Sequence, residues 1–231
     1  MTAPEGASVL VRRGMVVTAI ALLGVAGVYV LAWGYTPIEA RQGVAQKIFY
    51  LHVPAAWSAL LAFSLVGIAS AFYLWLNDPR LDRFAAASAE VGLAFGAVML
   101  TTGPIWAKPI WGTWWTWDAR LTLTLFLFFL FVGYLALRSA LQDSAERGRF
   151  SAVVGILGLV LVPFIHVSVY LFRTIHPRPI VLKPSAPSLP PVMLRTLLIS
   201  FAVFTLLYLG LVTIRYGLAL AEEARERGDA A

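Results

Sequence analysis

Three histidines and a dense run of tryptophans are the residues in this chain whose types could do chemistry. The histidines are His52, His166 and His176, and five of the eight tryptophans fall within residues 106–117. Neutral imidazoles are common metal ligands. Closely spaced indoles offer a large, rigid aromatic surface with N–H groups at its edge. These residue types therefore predict a site for a planar, apolar ligand that carries a metal.

The tryptophan segment, defined here as residues 106–120, contains Trp-Gly-Thr-Trp-Trp-Thr-Trp-Asp-Ala-Arg at 111–120. If the segment is helical, one face carries three indoles and a carboxylate: Trp111, Trp114, Trp115 and Asp118. Two prolines and a glycine favour a short interfacial helix over a long straight one: Pro104, Pro109 and Gly112. An aromatic belt at the membrane surface explains one or two tryptophans per helix end, but not five at this density.

Haem fits this combination better than zinc does. The macrocycle is planar and apolar, its iron accepts two axial imidazoles, and its propionates can pair with basic residues such as Lys108 and Arg120. A zinc site is disfavoured because the chain has no cysteine and the same face has only two acidic residues. The lack of cysteine also excludes disulfides and Fe–S clusters.

The elements that must position these residues are transmembrane helices. Of the 231 residues, 60% are hydrophobic and 13% charged, and the mean hydropathy is +0.80, which is too apolar for a soluble domain. Apolar stretches of about 20 residues predict six spans. They lie at about 14–36, 51–76, 84–106, 121–140, 150–172 and 192–214. The sequence therefore predicts an all-α polytopic protein, one integral membrane domain over residues 1–231, with the tryptophan segment at the outer interface and the first span retained rather than cleaved.

The charge distribution separates the two faces of this predicted bundle. Six spans put both termini on one side, which carries ten Lys and Arg against nine Asp and Glu; the other side carries eight against two. The positive-inside rule thus favours cytoplasmic termini only weakly. The excess positive charge, all three histidines and the tryptophan segment share the outer face, which indicates an anionic ligand or acidic partner there. No soluble basic domain is present to bind nucleic acid.

Three stretches of the chain resemble the cytochrome c maturation protein C (CcmC) family of haem-handling membrane proteins. They are residues 46–57 around His52, the tryptophan-rich residues 111–122, and residues 163–176 with His166 and His176. The likeness extends over about residues 12–215 in span order and loop length. The tryptophan stretch is similar to the family's WWD signature and is the most specific of the three.

The resemblance implies a binding and delivery protein rather than an enzyme, with no catalytic residue. Members bind haem b on the outer, periplasmic side of the cytoplasmic (inner) membrane, with both termini cytoplasmic. By position, the axial ligands would be His52 and His176. The rest of the haem site would be Trp111, Trp114, Trp115, Trp117, Asp118 and Arg120. The implied partners are a periplasmic haem chaperone (maturation protein E), two ABC transporter subunits (maturation proteins A and B) and a small single-span subunit (maturation protein D).

Some alternatives stay open from the sequence. A haem lyase or synthetase of the wider WWD group is one, although those relatives are typically longer; a transporter of another anionic amphiphile is a second. We expect His166 to be a buried hydrogen-bonding residue and Glu90 to snorkel towards the inner interface. The six prolines of residues 177–191 exclude a regular helix there and are compatible with a lid, a partner surface or a stiff connector.

Overall fold

The computed structural model of the protein describes residues 3–181 and 183–229. Within these residues, six helices are long and apolar enough to cross a membrane. They are α1 (Ala3–Gly34), α2 (Phe49–Leu76), α3 (Pro79–Trp111), α4 (Ala119–Ala140), α5 (Ser144–Leu171) and α6 (Pro191–Asp229), and a short 3-10 helix (Val44–Ile48) precedes α2. The predicted all-α fold with six spanning helices is confirmed, and the chain is a multi-pass membrane protein.

Local chemistry explains where the helices start and stop. An aspartate caps each of α3, α4 and α5, because its carboxylate accepts a backbone N–H of the first turn: Asp78, Asp118 and Asp143. Pro79 follows Asp78 at the first position of α3, where a missing N–H costs nothing. Turns of two and three residues, 77–78 and 141–143, then make α2 and α3, and α4 and α5, antiparallel neighbours.

The helices pack through small residues and aromatic rings. α2 lies at the centre against α3 and α5, α4 packs on α5, and α1 lies along α6. Gly92 of α3 has no room for a side chain, since an added Cβ would lie 2.8 Å from Phe63 and 2.9 Å from Ala62. Phe63 in turn stacks on Phe131 of α4 at 4.0 Å between ring centroids. Close packing of this kind holds helices together in lipid, where the hydrophobic effect between them is weak.

Ion pairs join the helices at the end of the bundle that carries both termini. Among the described residues, three arginine–carboxylate pairs link different helices there: Arg138 with Asp82, Arg83 with Glu223, and Arg215 with Glu90. Glu90, which we expect to snorkel towards the inner interface, has a partner at this end, because Arg215 of α6 lies 2.5 Å from its carboxylate. The nine acidic residues of this end nearly balance its ten basic residues, whereas the opposite end has two acids against eight basic residues.

Candidate functional site

The opposite end of the bundle, called the site end, is formed by residues 35–48, 112–118, 172–181 and 183–190. It brings together His52 from α2, His176 from the irregular segment before α6, and the tryptophan segment between α3 and α4. Arg120, in the first turn of α4, lies within electrostatic range of all three histidines. The fold thus places in one region the residues that the sequence separates by more than a hundred positions.

His52 is held by a hydrogen bond to the neighbouring helix. Its Nδ1 lies 2.9 Å from the hydroxyl of Thr102 on α3, and that hydroxyl lies 2.7 Å from the carbonyl oxygen of Val98. Because a carbonyl only accepts, the single hydroxyl hydrogen of Thr102 is directed to Val98, and Nδ1 of His52 must be the donor to Thr102. The lone pair of His52 therefore lies on Nε2, the atom left to ligate a metal.

The ring of His52 is also confined by packing. Its centroid lies 5.7 Å from the indole of Trp106 in an edge-on arrangement, and Gly103 lies so close that an added Cβ would be 3.1 Å from the imidazole Cε1. Trp106 is fixed by its own hydrogen bond, donated from Nε1 to the side-chain oxygen of Gln42 at 3.1 Å. The carboxylate of Glu39 accepts the backbone N–H groups of Arg41 and Gln42, which orders this loop.

His176 makes only local polar contacts. Its backbone N–H donates to the hydroxyl of Thr174 at 3.0 Å, and its Nδ1 donates to the carbonyl of Pro177 at 2.9 Å. The Nε2 lone pair is again free, and the ring lies beside Trp111 at 6.5 Å between centroids. Burial lowers the pKa of His176 to about 4, and the positive charge of Arg120 acts in the same direction. The imidazole is therefore neutral at pH 7, as a metal ligand must be.

The proline-rich segment that carries His176 is packed, not detached. The backbone N–H of Ser188 donates to the carbonyl of Ile180 at 2.9 Å, which closes a loop within the segment. Ile180, Val181 and Leu189 pack against a cluster formed by α1, α2 and α6. The segment therefore rests on the bundle through apolar contacts, while its polar groups bond to one another.

The tryptophan segment does not form the short helix that the sequence predicts. α3 continues through Pro104 and Pro109 to Trp111 and ends at Gly112, whose φ of 75° is a left-handed conformation that glycine adopts freely. Each proline removes only one backbone hydrogen bond, and neighbouring helices keep such a helix intact. Residues 113–118 are not helical, so Trp114, Trp115 and Asp118 do not share a helical face with Trp111.

The four tryptophans proposed for the site are instead spread over the surface of the site end. Trp114 and Trp117 are 56% and 76% exposed, whereas Trp111 lies against His176 and is more covered. The Trp115 ring lies edge-on to Trp117, 5.9 Å away between centroids. The segment therefore offers several indole faces at different angles rather than one flat wall.

Asp118 and Arg120 have different surroundings. One carboxylate oxygen of Asp118 accepts from the backbone N–H of Leu121 at 3.1 Å and the other from the hydroxyl of Thr116 at 2.9 Å, so Asp118 caps α4. Nη1 of Arg120 and Nε1 of Trp115 are buried donors without a hydrogen-bond partner among the described residues. Buried donors are nearly always paired in proteins, so these two atoms mark where an acceptor from a ligand would fit.

The other basic residues of this end divide into bonded and exposed groups. Lys47 is buried and donates from Nζ to the carbonyls of Thr36 and Pro37, and Lys108 donates to the carbonyl of Gly112 at 3.0 Å. The exposed arginines among the described residues of this end are Arg41, Arg173, Arg178 and Arg195. His166 lies on α5, and its side chain has no hydrogen bond within the described part of the chain, so its expected hydrogen-bonding role is not observed.

Sequence reasoning missed three residues that support His52. These are Thr102, Gly103 and Gln42, which contact either the imidazole or the indole beside it. Trp106 was counted among the tryptophans, but its contact with His52 was not foreseen. The only signal in the sequence was the Thr-Thr-Gly-Pro break in an otherwise apolar span, and its pairing with a residue 50 positions away becomes visible only in the fold.

Comparison with known proteins gives consistent matches along the chain. The family model described as heme exporter protein C matches residues 2–230. The chain is 36% identical over 208 residues to heme exporter protein C of Haemophilus influenzae, covering 90% of this chain and 84% of that protein. It is 38% identical to the proteins of the same name from Bradyrhizobium diazoefficiens, over 175 residues (76% and 66%), and from Escherichia coli K12, over 148 residues (64% and 60%).

Proposed function

Because this chain belongs to the heme exporter protein C family, we propose that it holds haem b at the site end and delivers it for the assembly of c-type cytochromes. The observation that carries the proposal is the pair of imidazoles, His52 and His176, each with Nδ1 in a hydrogen bond, at the end of the bundle that carries the tryptophan segment. The names of the relatives support a role in moving haem. The proposal goes further by assigning binding and transfer to particular residues.

The remaining site residues suit the rest of the haem molecule. Trp111, Trp114, Trp115 and Trp117 would cover the apolar macrocycle with their rings. The guanidinium of Arg120 would pair with a propionate, and the unpaired Nε1–H of Trp115 is a second donor for a carboxylate oxygen. Asp118 would act indirectly, because its capping of α4 fixes the first turn on which Arg120 lies.

The two proposed ligands are anchored differently, which suits a protein that must give its cargo away. His52 bonds to a different helix and is wedged by Gly103 and Trp106. The hydrogen bonds of His176 stay within its own segment, so that segment can shift without breaking them. Release of haem would then begin at His176 while His52 keeps its place, and no bond-making chemistry is assigned to this chain.

The proposed setting places the site end on the periplasmic face of the inner membrane, with both termini in the cytoplasm. The excess positive charge of the site end and the mutual neutralisation of acids and arginines at the other end support a site that faces an anionic ligand. The proposed acceptor is a periplasmic haem chaperone (maturation protein E). The ABC transporter subunits (maturation proteins A and B) and a small single-span subunit (maturation protein D) complete the proposed assembly.

The visible absorption spectrum of the detergent-purified protein tests this function. We expect a low-spin spectrum with two nitrogen ligands in the parent. We expect loss of that spectrum in His52→Ala and in His176→Ala. His166→Ala is the matched control and should keep the parent spectrum, since the site as proposed does not use it. A parent that stays haem-free after reconstitution with excess haem would refute the proposal and favour a carrier of another anionic amphiphile.

The role of Arg120 can be separated from that of the ligands with haem dimethyl ester, which lacks both propionate charges. Losing a charge-assisted hydrogen bond costs about 1.5–3 kcal/mol, so Arg120→Gln should weaken haem binding about ten- to a hundredfold. The same variant should bind the dimethyl ester as the parent does. Equal weakening for both compounds would show that Arg120 holds the segment in place instead of pairing with a propionate.

A further inference from the structure

We propose that Thr102 is a positioning residue that sets the tautomer of His52 and so selects Nε2 as the atom facing the iron. The proposal rests on the function proposed above. It arises from the juxtaposition of His52 on α2 with a threonine hydroxyl on α3 whose own hydrogen is already committed. Thr102 itself would not touch the ligand, and its action would pass entirely through the imidazole.

The contacts of Thr102 determine which atom donates in each of its hydrogen bonds. A threonine in a helix commonly donates its hydroxyl hydrogen to the carbonyl four residues earlier, and Thr102 does so to Val98 at 2.7 Å. The hydroxyl oxygen can then only accept from Nδ1 of His52, 2.9 Å away. A neutral imidazole has a hydrogen on only one of its two nitrogens. If that hydrogen is on Nδ1, Nε2 keeps the lone pair that iron needs.

The same bond fixes the direction of the ring. A hydrogen-bond partner on the nitrogen that does not bind the metal orients a histidine and raises its basicity, and removal of that partner typically costs about ten- to a hundredfold in metal affinity. Here Gly103 and Trp106 confine the ring by contact, but neither accepts a hydrogen bond from Nδ1. The carbonyl of Met99 is a second acceptor close to the imidazole. Thr102 is the side chain bonded to Nδ1, at 2.9 Å, and its loss would weaken the preference for the Nδ1–H tautomer without emptying the space around the ring.

Thr101 provides a matched control one residue away. Its hydroxyl makes the same hydrogen bond, to the carbonyl of Ala97 at 2.6 Å, but it is exposed and makes no hydrogen bond to His52 within the described part of the chain. Thr101→Val and Thr102→Val thus delete the same chemical group from the same helix. Thr102→Ser restores a hydroxyl at the critical position and completes the set.

The first measurement uses haem-free protein with ¹⁵N-labelled histidine in lipid nanodiscs. Nitrogen chemical shifts distinguish the Nδ1–H from the Nε2–H tautomer, and the His52 signals are assigned by their loss in His52→Gln. We expect the Nδ1–H form in the parent, Thr102→Ser and Thr101→Val, and a mixture or the Nε2–H form in Thr102→Val. An unchanged Nδ1–H signal in Thr102→Val would overturn the proposal.

The second measurement is haem affinity by titration at the Soret band. We expect Thr102→Val to bind about tenfold more weakly, with Thr102→Ser and Thr101→Val within about twofold of the parent. Parental affinity in Thr102→Val would overturn the proposed effect on ligation. A parent that binds no haem, yet shifts its tautomer in Thr102→Val, would instead refute the proposed function alone. If Thr102→Val does not accumulate, Thr102→Ala removes the hydroxyl with less volume and is interpreted in the same way.

Discussion

Adding one methyl group at Gly103 should disturb the proposed haem ligand directly. In Gly103→Ala the new Cβ would lie 3.1 Å from Cε1 of His52, whereas ordinary contact begins at 3.4 Å. The imidazole must therefore retreat by a few tenths of an ångström, which strains its 2.9 Å bond to Thr102. If that bond is lost, the cost is about 0.5–1.5 kcal/mol, or about two- to tenfold in haem affinity.

Gly133 of α4 is the matched control, because a Cβ there would meet nothing within 4 Å. Both substitutions gain about 0.5–1 kcal/mol of helix propensity, so a difference between them reports on contact alone. Haem titration in detergent should show weaker binding and an altered low-spin spectrum for Gly103→Ala, with parental behaviour for Gly133→Ala. Parental affinity and spectrum in Gly103→Ala would refute the idea that the position of His52 is set by packing on α3.

Three further outcomes follow from the structure. The pKa of His176 is about 4 in the folded protein, against an ordinary value of 6.5. Between pH 6.5 and 4 the unfolded state therefore binds more protons than the folded state, so the free energy of unfolding should fall as the pH falls. Chemical denaturation at several pH values should show a smaller fall in His176→Gln, which lacks the titrating group. Lys47→Met leaves two loop carbonyls without a donor and should lower the free energy of unfolding by about 1–3 kcal/mol in the same assay, whereas exposed Arg41→Met should change it by less than about 0.5 kcal/mol. Gly92→Val forces a side chain onto Phe63 and should destabilise the protein by about 1–3 kcal/mol or more, which thermal unfolding would detect.

The number and type of helices could be predicted because membrane spans are set by composition over about 20 residues. The ends of the helices could not be predicted, because a helix continues beyond its apolar stretch until a capping residue ends it. α6 runs on to Asp229, well past the predicted end at 214, and α3 begins at Pro79 because Asp78 caps it. Counting apolar residues does not predict these helix ends, because helices add polar turns in the interfacial region that the count ignores.

The local conformation of the tryptophan segment was the main error. Proline rules describe isolated helices, in which Pro104 and Pro109 would end or kink the chain. In a bundle, packing of α3 against its neighbours outweighs two missing hydrogen bonds, and the helix ends only at Gly112. The residues expected to share a helical face then follow an irregular path. The prediction that these residues lie at the same end of the bundle does not depend on a shared helical face, so this error leaves it unchanged.

The partners of His52 show a different limit of sequence reasoning. Histidines draw attention because few residue types ligate iron, so all three could be selected from their type and predicted face. The resemblance to the CcmC family then pointed to His52 and His176 as the ligands. Thr102 and Gln42 are ordinary polar residues, and only the crossing of α2 and α3 gives them a role. Contacts between helices determine which residues act on a ligand indirectly, and the spacing of residues along the chain does not reveal those contacts.

The individual contacts of the basic residues at the site end are stronger evidence for an anionic ligand than their number. Some of the eight cations there are already used: Lys47 and Lys108 bond to backbone carbonyls, and Arg178 lies over the ring of Tyr170. What distinguishes Arg120 is that it keeps a buried donor atom unbonded, with the nearby carboxylate of Asp118 occupied by the helix cap. A buried donor atom left unbonded is costly, and an anion placed against it would remove that cost. The argument for an anionic ligand therefore rests on this one guanidinium far more than on the net charge.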